Sequence, residues 1–274
     1  MTGGESVYAG PPERLDRAVA AVAEVSRTAA RGLIAAGAVF LNRQRCKVAS
    51  RTVRPGDRLR VGSAIGEPPA APLLSILYEA ADVVAIDKPA GMPSAPTQQA
   101  ATGTALAALT AQMTAPGGSA PRLWVVHRLD AATSGVLVFA TTQAAAAELS
   151  EAFRLQRVRK RYLALVAAAP STAEGRIELA LGAQRGRAVV EASGRAALTL
   201  WRVRERRATA TLLEVEPQSG RMHQIRVHLA AIGHPILGDR LYDGPPAPRL
   251  MLHAAAVTLA RADGDVCIEA PAPF

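Results

Sequence analysis

The apolar residues at the start of the chain recur at helical spacing. Within residues 13–25, three of them lie three or four positions apart: Leu15, Val19 and Val22. This spacing gathers them on one face and predicts an amphipathic helix. Ser26 is a residue type that caps helix amino termini, and Gly37 is one that ends helices, so a second helix is expected over 27–36.

Extended segments complete this part of the chain. A strand is predicted over 38–41, followed by a turn at Asn42 and Arg43 and by an extended stretch that ends at Val61. Two helices followed by short strands predict a small α/β domain over residues 13–62.

The segments on either side of this domain have no periodic pattern. Residues 1–12 contain Gly, Pro and Ser, and we expect a loose tail there. Residues 63–72 are rich in Pro, Ala and Gly, which is typical of a linker. A second, larger domain is therefore expected over residues 73–274.

Strands dominate the pattern in the larger domain. Short runs rich in apolar and β-branched residues predict strands over 74–79, 83–87, 123–126, 135–140, 159–166, 175–181, 187–193, 195–203, 207–216, 251–259 and 266–270. Helices are predicted over 104–113, 142–156 and 221–232. Because most strands follow one another directly, we predict an α+β fold with a mixed, largely antiparallel central sheet flanked by helices.

Composition narrows the classes of protein to which the chain can belong. Hydrophobic residues make up 49% of the 274 residues, which is enough for a sizeable core. The apolar runs are shorter than a membrane span requires, and the first residues lack the apolar segment of a secretory signal, so we expect a cytoplasmic location. Cys46 and Cys267 lie far apart without a CxxC motif, which argues against a disulfide framework or a zinc site.

The positive charge is concentrated at the amino end. The net charge is +9, and residues 1–66, with 11 basic and 5 acidic residues, contribute +6 of it. Such a concentration predicts a partner that carries phosphate.

Asp130 is a candidate reactive group. It lies between two apolar stretches, 123–126 and 135–140, each with the length of a buried strand. A carboxylate at such a place loses hydration unless a cation or hydrogen-bond donors meet it. On this pattern alone, a turn aspartate that satisfies its own backbone is an equally good interpretation.

Three motifs place Asp130 in a wider context. They are His127-Arg128-Leu129-Asp130, residues 159–166, and residues 220–229 with their continuation to 239. In this order they resemble the RluA-type family of RNA pseudouridine synthases over residues 73–259, and the family also carries the segment Lys88-Pro89-Ala90-Gly91. In the smaller domain, Arg14-Leu15-Asp16, Ser26-Arg27, the strand over 37–42 and Gly56-Asp57 follow one another. With these points, residues 13–62 resemble the αL-type RNA-binding module that is similar to ribosomal protein S4.

The resemblance implies a role for residues around Asp130. It implies that Asp130 is the catalytic carboxylate, that Arg226 is its bidentate partner, and that Tyr162 lies against the uracil ring. Whether Asp130 attacks the base, attacks the sugar or removes a sugar proton stays open. Without the resemblance, Arg226 would be interpreted as a surface arginine on an amphipathic helix, and Tyr162 as a half-buried core residue. The other residues assigned to substrate binding are His127, Arg128, Ile225, His223 and Gln224.

The resemblance also implies roles for other individual side chains. Arg128 is expected to fill the gap left by the flipped base, and His127 to be a structural or RNA-contacting neighbour and not a general base. In the amino-terminal module, contact mainly with phosphate and RNA shape is expected from Arg14, Arg27, Arg31, Asn42 and Arg43. Residues 93–121 are interpreted either as a mobile element that grips RNA or as an insertion.

No cofactor or metal is expected. His223 and His228 lie five positions apart and no HExxH motif occurs. No GxGxxG, GxxxxGK[ST] or GxSxG motif is present, so dinucleotides, nucleoside triphosphates and serine hydrolysis are not indicated. We expect a monomer that acts on RNA, with large-subunit ribosomal RNA as the leading target and without a membrane partner. The alternatives are a synthase acting on transfer RNA and a non-catalytic RNA-binding or ribosome-assembly protein.

Three positions beside the motifs depart from the family pattern. Ala132 stands where a second acid is common and Thr141 where a lysine is common, and Ala95 or a nearby residue replaces a histidine that is usual in the segment after Pro93. They flank the residues assigned to chemistry, so they bear on target choice and rate and leave the reaction class unchanged.

Overall fold

The chain divides into two compact units, residues 1–71 and 72–274. The structure is a computed structural model that describes residues 5–62, 73–96, 103–115, 118–168, 170–184, 186–261 and 264–274. The predicted linker over 63–72 lies outside the described residues.

The amino-terminal unit combines two helices with short strands. Its elements are β1 (Glu5–Val7), β2 (Glu13–Arg14), α1 (Leu15–Val22), α2 (Arg27–Ala35), β3 (Val39–Leu41), β4 (Gln44–Arg45), β5 (Thr52–Val53) and β6 (Arg58–Val61). One sheet has the strand order β1-β6-β3-β4, and β2 pairs with β5. The side chains of Leu15, Val19 and Ile34 are buried in its core, and the hydroxyl of Ser26 accepts the N–H of Ala29 at 3.2 Å as predicted for a cap. The α/β arrangement predicted for this part is confirmed.

The expectation of a loose tail over 1–12 is wrong for residues 5–8. Strand β1 pairs antiparallel with β6, and Ser6 lies opposite Leu59. Tyr8 is buried and its hydroxyl donates to Pro11 O at 2.9 Å. A strand of three residues has too few positions to show a period, so the pattern alone could not reveal it. Residues 1–4 lie outside the described part of the chain.

The second unit is built on one large sheet. The strands of the unit are β7 (Ser75–Glu79), β8 (Val83–Lys88), β9 (Trp124–Val125), β10 (Ser134–Ala140), β11 (Arg159–Val166), β12 (Glu174–Glu178), β13 (Leu181–Gln184), β14 (Arg187–Val190), β15 (Leu198–Arg206), β16 (Thr211–Pro217), β17 (Leu252–Leu259) and β18 (Val266–Glu269). Of these, β13 and β14 pair with each other in a separate two-stranded sheet. The helices of the unit, among the described residues, are α3 (Ala105–Gln112), α4 (Gln143–Arg154) and α5 (Gln224–Ala231).

The order of the strands confirms the predicted sheet class. The main sheet runs β12-β15-β16-β11-β17-β10-β8-β7, with β18 beside β17 and β9 beside β10. The pairing of β10 with β17 is parallel, with Ser134 opposite His253, whereas the other ladders of this sheet are antiparallel. The α+β fold with a mixed, largely antiparallel sheet is therefore confirmed.

Strand β10 lies at the centre of the core and leads directly from Asp130. Successive side chains point to opposite faces of the sheet. Val136 and Val138 therefore pack in the core layer that contains helix α4, whereas Leu137 and Phe139 pack in the layer that contains helix α3. Every residue of the strand is buried. A strand covered on both faces reads as a continuous apolar run, which is the pattern the sequence shows.

Gly135 allows the close approach of β10 to β17. Its φ is +110°, and a Cβ atom at this position would lie 2.2 Å from Ala254 O. Only a residue without a side chain fits both conditions. The glycine therefore fixes the point at which the chain enters the sheet, five residues after Asp130.

Candidate active site

The loop that carries Asp130 is held by the segment that follows β8. The hydroxyl of Ser94 donates to Leu129 O at 2.8 Å and accepts the N–H of Leu129 at 3.0 Å. On the other side of Asp130, Ala131 O accepts the ammonium of Lys88 at 3.1 Å. Both neighbours of the aspartate are thus tied to one segment, which fixes the direction of its side chain.

Lys88 is a fully buried cation beside this loop. Its Nζ donates to the carbonyls of Pro89 at 2.9 Å and Met92 at 2.8 Å in addition to that of Ala131. Burial lowers the pKa of Lys88 to about 8, although the charges of Asp130 and Asp87 act in the opposite direction. Three carbonyl acceptors satisfy its three donors, so the ammonium closes the loop without free hydrogen-bonding capacity.

Arg226 joins Asp130 to a second carboxylate. Its Nη1 lies 3.2 Å from Asp130 Oδ2, whereas Nε and Nη2 each donate to Asp239 at 2.7 Å. The bidentate contact predicted with Asp130 is therefore made with Asp239 instead, because Asp239 alone presents both oxygens to the edge of the guanidinium. Burial acts to lower the pKa of Arg226, but the hydrogen bonds and charges of Asp239 and Asp130 outweigh it and raise the pKa.

Helix α5 begins at Gln224, three residues after the predicted start. His223 precedes it with a φ of +51°, in the left-handed region. The amide of Gln224 accepts Ser219 Oγ at 2.7 Å and Arg221 N–H at 3.1 Å, and it donates to Leu198 O and Thr199 Oγ1. These four bonds use its whole hydrogen-bonding capacity. The structure thus corrects the substrate-binding role predicted for Gln224: the side chain ties the start of α5 to the sheet.

Two clefts meet at Asp130. The inner cleft has a volume of about 460 Å³, and its walls include Asp130, His127, Arg128, Tyr162, Lys160, His223, Ile225 and Arg226. The outer cleft has a volume of about 1170 Å³, and its walls include Asp130, Ser94, Arg128, His223, Arg226, Arg240 and Arg249. The residues predicted for the site therefore line one continuous concave surface, a typical place for a ligand.

Tyr162 and Ile225 form part of the wall of the inner cleft. Ile225 is 6% exposed and packs in the core beneath the cleft. Burial, together with the charge of Asp130, raises the pKa of the Tyr162 phenol. The phenol is therefore protonated at neutral pH and carries a proton that it can donate in a hydrogen bond.

His127 has a structural role. Its Nε2 accepts the N–H of Val138 at 2.9 Å, and its ring stacks on Phe153 with the centroids 4.3 Å apart. Burial lowers its pKa to about 3. The neutral ring thus braces strand β10 through Nε2, and the substrate-binding role assigned to His127, which lies in the wall of the inner cleft, stays a prediction. Arg128 is exposed at the edge of both clefts.

Three predicted RNA-binding arginines converge on one buried carboxylate in the amino-terminal unit. Asp16 is fully buried, and it accepts the Nε of Arg14 at 3.2 Å, of Arg27 at 3.2 Å and of Arg31 at 2.9 Å. The arginine side chains are 43–53% exposed, so the cluster presents a net positive charge to solvent. RNA contact was predicted for these arginines, and no local pattern indicated that Asp16 organises them.

Asn42 and Arg43 form a tight turn in which their side chains differ in role. The amide of Asn42 donates to Asp57 Oδ1 at 2.8 Å and accepts the N–H of Arg58 at 2.9 Å. Its φ of +51° and the +67° of Arg43 identify a turn with two left-handed residues. The structure therefore gives Asn42 a structural role in place of the predicted RNA contact, and it leaves the exposed side chain of Arg43 at the tip of the turn.

We expect Asp16→Asn to lower the free energy of unfolding of the amino-terminal unit by about 1–3 kcal/mol, because three guanidinium groups lose their shared anion. Hydrogen bonds from Arg14, Arg31 and Arg27 hold the pKa of Asp16 well below its ordinary value of 3.8, against the effect of burial. The stabilisation is therefore complete above pH 3.8 and lost as the pH falls further.

The measurement is amide hydrogen exchange of α1 and α2, compared at equal intrinsic exchange between about pH 1.5 and pH 7, with Glu24→Gln, an exposed carboxyl without an arginine cluster, as the control. Equal protection in the Asp16 and Glu24 variants would contradict the prediction.

Four residues of the site had no role in the sequence analysis. Asp239 lies at the end of the third motif, and the apolar run before it was a signal for a buried acid. Tyr242 follows three residues later, and its hydroxyl contacts the ring of His223. Lys88 and Lys160 lie at or near strand ends that face the site. Such lysines look like surface residues in a sequence, because only the tertiary fold shows what covers them.

Clusters that could hold a metal ion, meaning three or more His, Cys, Asp or Glu side chains, are absent from the described ranges. Within the same ranges, no helix combines the length and the apolar character that crossing a membrane requires.

Comparison with known proteins agrees with the geometry. A family model for RNA pseudouridylate synthases matches residues 82–231, and a model for the S4 domain matches residues 13–59. The dual-specificity RNA pseudouridine synthase RluA of Escherichia coli is 39% identical over 218 residues, which cover 76% of this chain and 97% of the relative. An uncharacterised RNA pseudouridine synthase of Mycobacterium bovis is 38% identical over 273 residues, covering 92% of this chain and 87% of the relative.

A solved structure shows the same similarity. Human RNA pseudouridylate synthase domain containing 1 superimposes with a TM-score of 0.65 and 28% sequence identity, covering 76% of this chain and 87% of its own.

Proposed function

Since this chain belongs to the RluA-type RNA pseudouridine synthase family, we propose that it isomerises uridine to pseudouridine in RNA with Asp130 as the catalytic carboxylate. The observation that carries the proposal is the contact of Asp130 with Arg226, at 3.2 Å, in a cleft whose wall includes Tyr162. The side chain of Asp130 is 30% exposed whereas that of Arg226 is 6% exposed. The carboxylate thus faces the cleft while its cation stays within the protein.

The reaction exchanges one bond for another within a single nucleotide. The bond from uracil N1 to ribose C1′ breaks, a bond from C5 to C1′ forms, the hydrogen of C5 leaves as a proton and N1 gains a proton. No electrons are gained or lost, so the balance requires no cofactor. A carboxylate beside C1′ serves each of the three routes considered for Asp130, and Arg226 contacts it at 3.2 Å as its counter-ion.

The surrounding side chains supply binding and orientation. Tyr162 and Ile225 offer a flat apolar wall for the uracil ring, and the Tyr162 hydroxyl offers a proton donor. A base must leave its stack to reach this wall, which costs a few kcal/mol. Arg128, exposed at the edge of both clefts, is suited to occupy the gap in the RNA.

We propose large-subunit ribosomal RNA as the target, with the amino-terminal unit as a second contact. The similarity of residues 13–59 to the S4 domain and the positive charge of residues 1–66 support an RNA-binding role for this unit. The E. coli relative is named dual-specificity, so transfer RNA is tested alongside. All residues assigned to the site come from one chain, and we expect the protein to act as a monomer.

The test is release of tritium from RNA labelled at C5 of uridine, because formation of the new bond expels that hydrogen. Purified protein is incubated separately with ribosomal RNA and transfer RNA, and the modified positions are mapped by reverse transcription. Release from ribosomal RNA supports the proposal. Binding of either RNA without release would instead favour a non-catalytic RNA-binding protein.

We expect Arg43→Gln to weaken RNA binding and to lower the slope of log affinity against log salt by about 0.7–0.9, the effect of one lost phosphate contact. The side chain lies at the tip of an exposed turn. Binding is measured between 50 and 200 mM salt with Arg43→Lys as the matched control, which keeps the charge and is expected to keep the slope. An unchanged slope in Arg43→Gln would exclude this residue from the interface.

A further inference from the structure

His223 lies between Tyr242 and Asp130, and its hydrogen bonds fix the position of its ring proton. The hydroxyl of Tyr242 has one proton, which it donates to Ala188 O at 2.9 Å. The contact between this hydroxyl and His223 Nδ1, at 3.0 Å, therefore has the Nδ1–H group as its donor. In the neutral ring, Nε2 is consequently left with a free lone pair.

The free nitrogen points toward Asp130 without bonding to it. Nε2 lies 3.8 Å from Asp130 Oδ2, beyond hydrogen-bond distance. Burial lowers the pKa of His223, and the charge of Arg226 acts in the same direction, whereas Asp130 and Asp239 oppose them. At neutral pH the ring therefore presents a hydrogen-bond acceptor to both clefts, whose walls it shares.

The backbone holds the ring in this position under strain. A φ of +51° is unfavourable for a residue with a side chain, by about 1–2 kcal/mol, and His223 adopts it immediately before α5. Its ring packs edge-on against that of Tyr242, with centroids 5.8 Å apart. Strain of this kind persists where the surrounding structure demands one orientation.

We propose that His223 determines specificity by accepting a hydrogen bond through Nε2 from an O–H or N–H group of the target nucleotide. A uridine offers two such groups near its reacting bond, the ribose 2′-hydroxyl and N3–H of the base. Tyr242 is the positioning residue that fixes the tautomer. The inference rests on the proposed function, because it assumes that the nucleotide enters this cleft.

The kinetic test uses a pair of matched variants on a synthetic RNA stem–loop that contains the mapped target uridine. In His223→Gln, the side-chain amide lies about as far from the backbone as Nε2 does in histidine. In His223→Asn, the amide lies only as far from the backbone as Nδ1. We expect His223→Gln to keep kcat/KM within about threefold and His223→Asn to lose about tenfold, the value of one hydrogen bond in a closed site.

Modified RNA identifies the donor. The same stem–loop is prepared with 2′-deoxyuridine or with N3-methyluridine at the target. One of these changes is expected to slow the wild type by about tenfold and His223→Asn by less than about twofold, because the variant has no bond left to lose. Equal losses in the wild type and His223→Asn on both RNAs, or equal activity of the two variants, would overturn the inference.

An NMR experiment tests this inference independently of the proposed function. In protein labelled with ¹⁵N-histidine, we expect Nδ1 of His223 to be protonated and Nε2 to be bare at neutral pH, and Tyr242→Phe to mix the two tautomers. Addition of the unmodified stem–loop is expected to shift the Nε2 resonance. Should the wild type isomerise no RNA, the proposed function fails, and an unshifted Nε2 resonance would still contradict the role of His223.

Discussion

Asp130→Asn is expected to lower the rate of pseudouridine formation by about 10²- to 10⁴-fold, the range over which a positioned acid or base contributes to catalysis. The amide keeps the shape of the side chain and can still accept Nη1 of Arg226, so the cleft keeps its form. It has no negative charge with which to attack carbon or to take a proton. RNA affinity is expected to change by less than about threefold, since contacts with phosphate dominate it.

Asp82→Asn is the matched control for this variant. Asp82 also pairs with an arginine, Arg261, at 2.6 Å, and its side chain is 31% exposed, against 30% for Asp130. Its substitution removes the same charge from a comparable ion pair away from both clefts. Tritium release under single-turnover conditions is expected to be lost in the Asp130 variant alone. Full activity of Asp130→Asn would remove the proposed mechanism.

Arg226→Met is expected to abolish activity and to lower the free energy of unfolding by about 3–5 kcal/mol. The second effect arises from Asp239, whose side chain has 0% exposure and whose two oxygens both bind Arg226. Without the guanidinium, a buried carboxylate is left unpaired. The tryptophans, Trp124 and Trp201, both lie in residues 72–274, so denaturant unfolding followed by their fluorescence reports on this unit.

A double variant separates the two roles of Arg226. In Arg226→Met combined with Asp239→Asn, the buried negative charge is gone. The amide oxygen that replaces the carboxylate can still accept the N–H of Leu241, which lies 3.0 Å from Asp239 Oδ1. Stability is expected to recover most of its loss while activity stays absent, because Asp130 still lacks its cation. Recovery of activity in the double variant would show that Arg226 acts only through stability.

The elements of the site could be predicted where one local pattern determines them. The buried run of β10 and the caps of α2 are visible in short windows of sequence, and the family resemblance implied Arg226 as the partner of Asp130. The choice of Asp239 as the bidentate partner could not be predicted in this way. It depends on which carboxylate faces the edge of the guanidinium, and this is decided by the packing of α5 against the loop that follows it.

The errors at the site share a physical cause. Gln224 was assigned to substrate binding from the resemblance alone, whereas the left-handed residue His223 delays the start of the helix and the amide is bonded to the sheet. The contacts of Arg14, Arg27 and Arg31 with Asp16 could not be predicted because they join different elements, whereas a local pattern describes one element at a time. Partners distant in sequence therefore reversed interpretations that were sound locally.

The order of the central strands has a consequence for folding during synthesis of the protein. Asp130 precedes β10 and Tyr162 lies on β11, but the strand between these two, β17, is made from residues 252–259. When the growing chain has emerged from the ribosome up to Arg226, β17 has not yet emerged. The chain then still lacks the strand that joins the two halves of the cleft. The amino-terminal unit precedes these strands in the chain, whereas the cleft is complete only after β17 has been synthesised.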